Sequence, residues 1–262
     1  MRRLLPLLAL LLATPALAQP RLLGLRAEGG DFRADLSDGT HLRGAALVGA
    51  VLRFEGMELR IDTARRDDAP PLPGGGRATD VWLFGLSARA SGGGAAGAEW
   101  QPYCRPDPQG ESLAMPYPAE DGSLRLTCSA GAIGKCIRFG YRPWASLPDG
   151  RPLAPFHAAC SNLVRAAYGT PERGWTRDGM RIDLYDHVGI QAPDNAPEDA
   201  FEAGWTPEGA TCVAHVRVPE NGDLAAVAAA HPRLAGRTGP VACTEATARA
   251  AGAILFNRSP ER

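Results

Sequence analysis

Apolar and polar residues alternate in short runs across residues 24–88, the two-residue period of strands with one buried face. Phe32-Arg-Ala-Asp-Leu36 alternates up to Asp38-Gly39, and a second run passes through Val48, Val51 and Phe54. Glu55-Gly56 separates it from Met57-Glu-Leu-Arg-Ile61. An X-Gly pair between alternating runs signals a hairpin, because glycine accepts positive φ at little cost. Pro70-Pro-Leu-Pro-Gly-Gly-Gly76 and Gly92-Gly-Gly94 read as loops, with a strand beginning at Val81-Trp-Leu-Phe84 between them. The first half is expected to be an antiparallel β meander.

Past residue 100 the period changes. Ser123-Leu-Arg-Leu-Thr-Cys128 and Ile137-Arg-Phe-Gly-Tyr141 keep strand spacing. Phe156, Cys160, Leu163, Val164 and Ala167 then recur at helical spacing, with Pro155 suited to a first turn and Gly169 to a C-terminal cap. Strand spacing returns in Arg181-Ile-Asp-Leu-Tyr-Asp186 and in Thr211-Cys-Val-Ala-His-Val-Arg-Val218. Asp223 is placed to cap a short helix that Pro232 ends, Thr244 to start another, and Ala253-Ile-Leu-Phe256 to form a last strand. The fold class expected is α+β: a β-rich region over residues 19–99, then a cysteine-stapled α+β domain with short helices over residues 100–262.

The first 18 residues change the picture most. Arg2 and Arg3 precede an apolar run from Leu4 to Leu12, and Ala16-Leu17-Ala18 stands before Gln19-Pro20. That pattern reads as a cleavable secretory signal, too short to span a bilayer. It predicts a protein of the periplasm or of the medium, without a membrane span in the mature chain. The abundance of Ala, Gly, Pro and Arg over lysine points to a GC-rich bacterial genome. Loss of Arg2 and Arg3 leaves 26 basic against 29 acidic residues. Such a surface offers no electrostatic case for nucleic acid. Lys135 is the one lysine. With 31 glycines, 23 prolines and 6% aromatics, the chain is turn-rich and its core thin enough to gain from covalent staples. Cys104, Cys128, Cys136, Cys160, Cys212 and Cys243 supply an even number of thiols for an oxidising compartment, which predicts a disulfide framework. Local separation favours Cys212–Cys243 as one pair and leaves the other four open. No C-x-x-C pair is present to suggest structural zinc, and neither a metal nor a cofactor is expected.

Several motifs invite chemistry. Ser129-Ala-Gly-Ala-Ile-Gly-Lys-Cys136 imitates the end of a phosphate-binding loop, but Ser129 stands where that loop needs glycine and Cys136 where it needs a hydroxyl. A tight turn between two cysteine-bearing strands is the expectation there. His157 and Cys160 lie three apart on the predicted helix and are neighbours, with His187 further on. Cys160-Ser-Asn-Leu-Val-Arg-Ala-Ala-Tyr168, followed by His187-Val-Gly-Ile190, is similar to cysteine endopeptidases that trim bacterial peptidoglycan. That likeness implies a Cys160 nucleophile with a histidine base, His157 or His187. Against it, 27 residues from Cys160 to His187 is short for that arrangement, Ala159 stands where the peptidases have aspartate, and Cys160 shares the inward face of its helix with Phe156 and Leu163. Asp178, Asp183, Asp186, Asp194, Glu198 and Asp199 suggest acid–base work or calcium, though no EF-hand pattern occurs. Salt bridges to the many arginines are the plainer role. His41, His215 and His231 are scattered and read as structural or exposed, and Asn257-Arg-Ser259 fits a glycosylation sequon.

Gly131-Ala-Ile-Gly-Lys-Cys-Ile-Arg-Phe-Gly-Tyr-Arg-Pro-Trp144, His157-Ala-Ala-Cys160, Arg165-Ala-Ala-Tyr168, Ile182-Asp-Leu-Tyr-Asp186, Glu202-Ala-Gly-Trp-Thr-Pro-Glu-Gly209 and Leu255-Phe-Asn-Arg-Ser259 are idiosyncratic strings. Together they resemble the ADYC domain family, chiefly from Trp100 to Ser259, with a weaker echo in the β half. The resemblance implies export and cysteine staples and names no reaction. The motif behind the family's name reads Ala-Ala-Tyr-Gly here, so Ala167 replaces its aspartate and Gly169 its cysteine. The family pattern also has a cysteine ahead of Pro-Arg-Leu, where this chain has His231. The resemblance therefore implies that Gly169 and His231 sit close in space. The leading functional expectation is a non-enzymatic binding or structural module of the cell envelope, its partner unidentified. His157, Arg165, Tyr168, Asp183 and Asp186 are its candidate polar site, equally readable as a buried network joining helix to strand. The alternatives are the Cys160 hydrolase and a calcium-dependent binding protein.

Overall fold

The computed structural model describes residues 20–54, 56–68, 80–91, 99–169, 173–194 and 196–261. The predicted leader of residues 1–18, Glu55 of the second turn and the loops of residues 70–76 and 92–94 lie outside the described residues.

The alternating runs become strands with their apolar residues on shared faces. β1 (Leu22–Glu28), β2 (Asp31–Leu36) and β3 (His41–Arg43) form a three-stranded antiparallel sheet. β4 (Val51–Phe54), β5 (Met57–Arg66), β6 (Trp82–Ala90), β8 (Leu113–Pro118) and β9 (Leu124–Cys128) follow one another as an antiparallel meander, with two-residue β7 (Gln101–Pro102) paired to β6. The meander thus runs on past residue 100. Leu59 and Ile61 of β5 face Phe84 and Leu86 of β6 and Phe32 of β2, whose ring meets Phe84 edge-on at 4.8 Å. The opposite face is apolar too. There Val81, Leu83, Leu113 and Met115 receive Ile137. The large sheet is therefore a middle layer, covered by the small sheet on one side and by a helix on the other.

That helix, α1 (Ala132–Arg138), corrects two expectations. The strand expected to begin at Ile137 ends a helix instead, and the tight turn expected over residues 129–136 is mostly that helix. Ile133 and Ile137 are four apart and both pack toward the sheet. That period outcompetes the alternation of Ile137, Phe139 and Tyr141. Gly134 permits the docking: a Cβ there would lie 2.2 Å from the Cys128 carbonyl oxygen.

α2 (Ala154–Arg165) matches the predicted helix, with Pro155 in its first turn, but it stops before Gly169. Ala166 takes the left-handed conformation at φ 50°, alone in this among the described non-glycine residues. Its N–H bonds the Leu163 carbonyl and that of Ala167 bonds Asn162, the pairing of a Schellman cap. The second sheet has the order β10 (Asp183–Asp186), β13 (Leu255–Pro260), β11 (Asp199–Thr206), β12 (Gly209–Val213), antiparallel throughout. One face packs Trp205 and Leu255 against α2, and the other packs Tyr185 and Phe256 toward α4 (Glu245–Ala250). β12 ends at Val213, short of the expected Val218, and the chain beyond it leaves the ladder after the Ala214 N–H bonds the Glu202 carbonyl. Asp223 caps α3 (Leu224–Ala230), accepting the Ala226 N–H at 2.8 Å, and Thr244 opens α4 with a capping box. Among the described residues no helix is long and apolar enough to cross a membrane.

All six cysteines are paired: Cys104–Cys128, Cys136–Cys160 and Cys212–Cys243. The first ties the loop after β7 to β9, the second joins α1 to α2, and the third holds β12 to the segment before α4. Gly169 and His231 meet as the resemblance implies. A Cβ on Gly169 would lie 1.8 Å from His231 Nδ1 and 1.9 Å from its Cγ, so the imidazole fills the volume a side chain would take. Burial, then the charges of Arg233 and Arg173, lowers the His231 pKa, which keeps the ring neutral. Gly169→Cys alone is expected to destabilise by overpacking. Combined with His231→Cys it should close a fourth disulfide, read as no free thiol in the denatured, unreduced protein and a gain of up to about 3 kcal/mol. Two free thiols in the double variant would show the positions to be misjudged.

Candidate functional site

The residues that suggested chemistry have separate structural partners. Cys160 is fully buried and its sulfur is bonded to Cys136. His157 lies 3.2 Å through Nε2 from the Ile133 carbonyl, and burial lowers its pKa, so it is a neutral strut between α2 and α1. His187 lies across the C-terminal sheet, 3.0 Å through Nε2 from Glu245 Oε1, with its ring against Phe256 at 4.9 Å. Glu245 also accepts the Tyr185 hydroxyl at 2.8 Å. The candidate glycosylation sequon is buried, Asn257 being fully enclosed in β13. Among the described residues no three His, Cys, Asp or Glu side chains gather as a metal site.

The candidate polar residues divide in the same way. Arg165 is exposed at the end of α2, and its carbonyl accepts the Trp175 N–H at 3.0 Å. Asp186 is buried and saturated. It takes backbone N–H groups from Val188, Gly189, Ile190 and Gln191 at 2.7–3.2 Å and the Tyr141 hydroxyl at 2.7 Å. Burial and then the Asp186 charge push Tyr141 well up, which holds it as a donor. Asp183, on the other side of the strand, accepts the Asp194 N–H at 3.1 Å through Oδ1, and its Oδ2 is buried without a donor. Burial, opposed by that hydrogen bond and reinforced by the Asp194 charge, raises its pKa.

Tyr168 belongs to a network that local spacing did not reveal. Its hydroxyl donates to Glu202 Oε1 at 3.0 Å and accepts the Arg217 N–H at 3.0 Å. Glu202 and Arg217 are both fully enclosed. The guanidinium gives Nε to Glu202 Oε2 at 2.9 Å and Nη2 to Oε1 at 3.0 Å, a two-pronged pair suited to planar guanidinium and carboxylate. Nη2 also reaches the Leu163 carbonyl at 2.8 Å, and Nη1 that of Val164 at 3.1 Å. Asn257 Nδ2 and Ser259 Oγ each donate to Glu202 Oε2 at 2.7 Å. Trp205 Nε1 donates to Asn257 Oδ1 at 2.7 Å, and His215 Nε2 lies 3.0 Å from Ser259 Oγ. The network joins helix to strand, and of the five candidate polar residues it takes in Tyr168. The signal missed was a pair of charges inside apolar runs, Glu202 in Phe201-Glu-Ala-Gly-Trp205 and Arg217 in Val216-Arg-Val218.

Open space lies elsewhere. A cleft of about 540 Å³ between α1, the end of α2 and the loop after β10 has Phe139, Val164, Met180 and Ile182 among its walls, with Lys135 and Asp194 at its rims. A second hollow of about 740 Å³ shares Lys135 and Arg138 with it and adds Arg105 and Asp178. A third, about 390 Å³, opens beside His215.

Burial would raise the Glu202 carboxyl, but the Arg217 charge and the bonds from Arg217 and Ser259 hold it below its ordinary 4.5. A depressed carboxyl stabilises the fold fully above that ordinary value, and the contribution is lost as pH falls through the folded one. Glu202→Gln or Arg217→Met should each cost about 3–5 kcal/mol in denaturant unfolding at neutral pH. The gap between the parent and Glu202→Gln should narrow in acid. An Arg217→Met cost below about 1 kcal/mol would show the pair to be dispensable.

The ADYC domain family model matches residues 39–219. No curated protein and no solved structure matches the chain. The matched span takes in β3 through β12, both α1 and α2, and the Tyr168–Glu202–Arg217 network. It covers more than half of the 262 residues, and the chain belongs to the ADYC domain family.

Proposed function

We propose that this chain is an exported, non-catalytic module of the bacterial cell envelope, binding or structural, in which sulfur and the buried ion pair serve rigidity. The observation that supports the reading most is the pairing of every cysteine. A thiol nucleophile must be free and exposed enough to ionise, and Cys160 is neither. Disulfides persist in oxidising compartments, which agrees with the secretory reading of residues 1–18. His157, His187 and Asp186, which drew attention as acid, base or ligand, are taken up in joining elements and orienting backbone. That leaves surfaces and clefts, not a reactive group, as the means of action.

Equal treatment of the two ends of one bridge tests this. Cys136→Ser and Cys160→Ser should each lower stability by about 2–5 kcal/mol, to the same degree. The denatured, unreduced parent should show no thiol. Labelling at Cys160, or a Cys160→Ser variant that loses an envelope-hydrolysing activity retained by Cys136→Ser, would overturn the proposal. Removal of divalent cations should leave the thermal midpoint unchanged, whereas a drop would point to a calcium-dependent protein.

A further inference from the structure

We propose that the cleft between α1, α2 and the loop after β10 binds a small zwitterion with an apolar body, a hydrophobic amino acid or short peptide with both termini free. Its carboxylate would sit at Lys135 and its ammonium at the Asp183–Asp194 rim. The inference deepens the reading of the chain as a binding module and rests on it.

Three features of the cleft define this ligand. The first is a free cation. Lys135 stands in the last turn of α1, lines both adjoining hollows and has no ion-pair or hydrogen-bond partner among the described residues. Its neighbour Arg138 is occupied, giving Nε to Asp67 Oδ2 at 2.9 Å. Lys135 is thus the group on this rim left to take an anion. The second is a rim of opposite sign. Asp183 and Asp194 both line the cleft, and the buried Oδ2 of Asp183 has no donor. Arg181 contacts Asp194 at 3.2 Å but shares itself with Glu198 and Asp199. The Arg258 guanidinium lies over the Tyr185 ring at 5.4 Å. The two lining carboxylates, with Arg181 shared among three acids, leave this rim negative, and Asp183 Oδ2 lacks a donor. The third is the wall between. Phe139, Leu163, Val164, Met180, Ile182 and Leu184 supply apolar surface for a side chain.

Simple anions and simple cations each fit one rim and are repelled by the other. A divalent metal would find two carboxylates facing a lysine, a poor donor set. A charge pair carried on one ligand, with apolar groups along its length, meets all three features.

Calorimetric titration of the mature chain with leucyl-leucine, its N-acetyl derivative and its C-terminal amide tests the proposal. The free dipeptide should bind saturably, and either cap should weaken it by about tenfold, the worth of one charge-assisted bond. Lys135→Gln should weaken the free dipeptide by a similar factor and leave the amide unaffected, while Lys135→Arg retains binding. An exposed, unpartnered lysine can be replaced without loss of fold, and an unchanged thermal midpoint checks this. Equal affinity for capped and free dipeptides, indifference to Lys135→Gln, or no saturable binding at millimolar dipeptide would overturn the cleft assignment. None of these outcomes touches the thiol count, on which the wider proposal stands or falls.

Discussion

The carboxylate of Glu202 and the guanidinium of Arg217 are shut away from water, and the C-terminal half is arranged to make that tolerable. Two such charges lose several kcal/mol of solvation each, which only close geometry and full hydrogen bonding offset. Both conditions hold. Glu202 takes donors from Arg217, Tyr168, Asn257 and Ser259, which come from three separate stretches of chain. Arg217 uses its remaining hydrogens on the carbonyls of Leu163 and Val164. Those belong to the last turn of α2, where carbonyls lack intrahelical partners and the helix dipole favours a cation. One guanidinium therefore ends a helix, neutralises a strand residue and fixes the irregular segment after β12. A member removed leaves a bare charge in the core.

This arrangement explains which features were legible beforehand. The caps at Asp223 and Thr244 depend on side chains bonding amides three residues on, and they read directly. So did the strands of the first half, whose alternation matches a sheet beside one core. Ile137 misled because its run satisfies two periods at once, and the choice between them was made by the surface of the large sheet. Gly169 was read as a helix cap because glycine commonly ends helices. Its lack of a side chain answers instead to His231, 62 positions later in the chain. The ion pair was invisible for a similar reason. Nothing within reach of Glu202 in sequence announces Arg217, and a charge inside an apolar run does not say which partner it meets.

The two halves are joined through α1. Its Ile133 and Ile137 rest on the meander, Cys136 is bridged to α2, and Arg138 reaches back to Asp67 beside the sheet. Helix and sheet thus share one short element, with a disulfide on one side and an ion pair on the other. β13, the inner strand between β10 and β11, lies beyond the span matched by the family model, yet it carries Asn257 and Ser259. The network within the matched span is completed from outside it.

Where the family resemblance implies a pair of cysteines, this chain closes the same gap with an imidazole lying over a glycine. That contact forms as fast as side chains pack and asks nothing of an oxidant. It also leaves six sulfurs to be sorted instead of eight, roughly sevenfold fewer ways to mispair. At this corner, folding is freed from a slow chemical step.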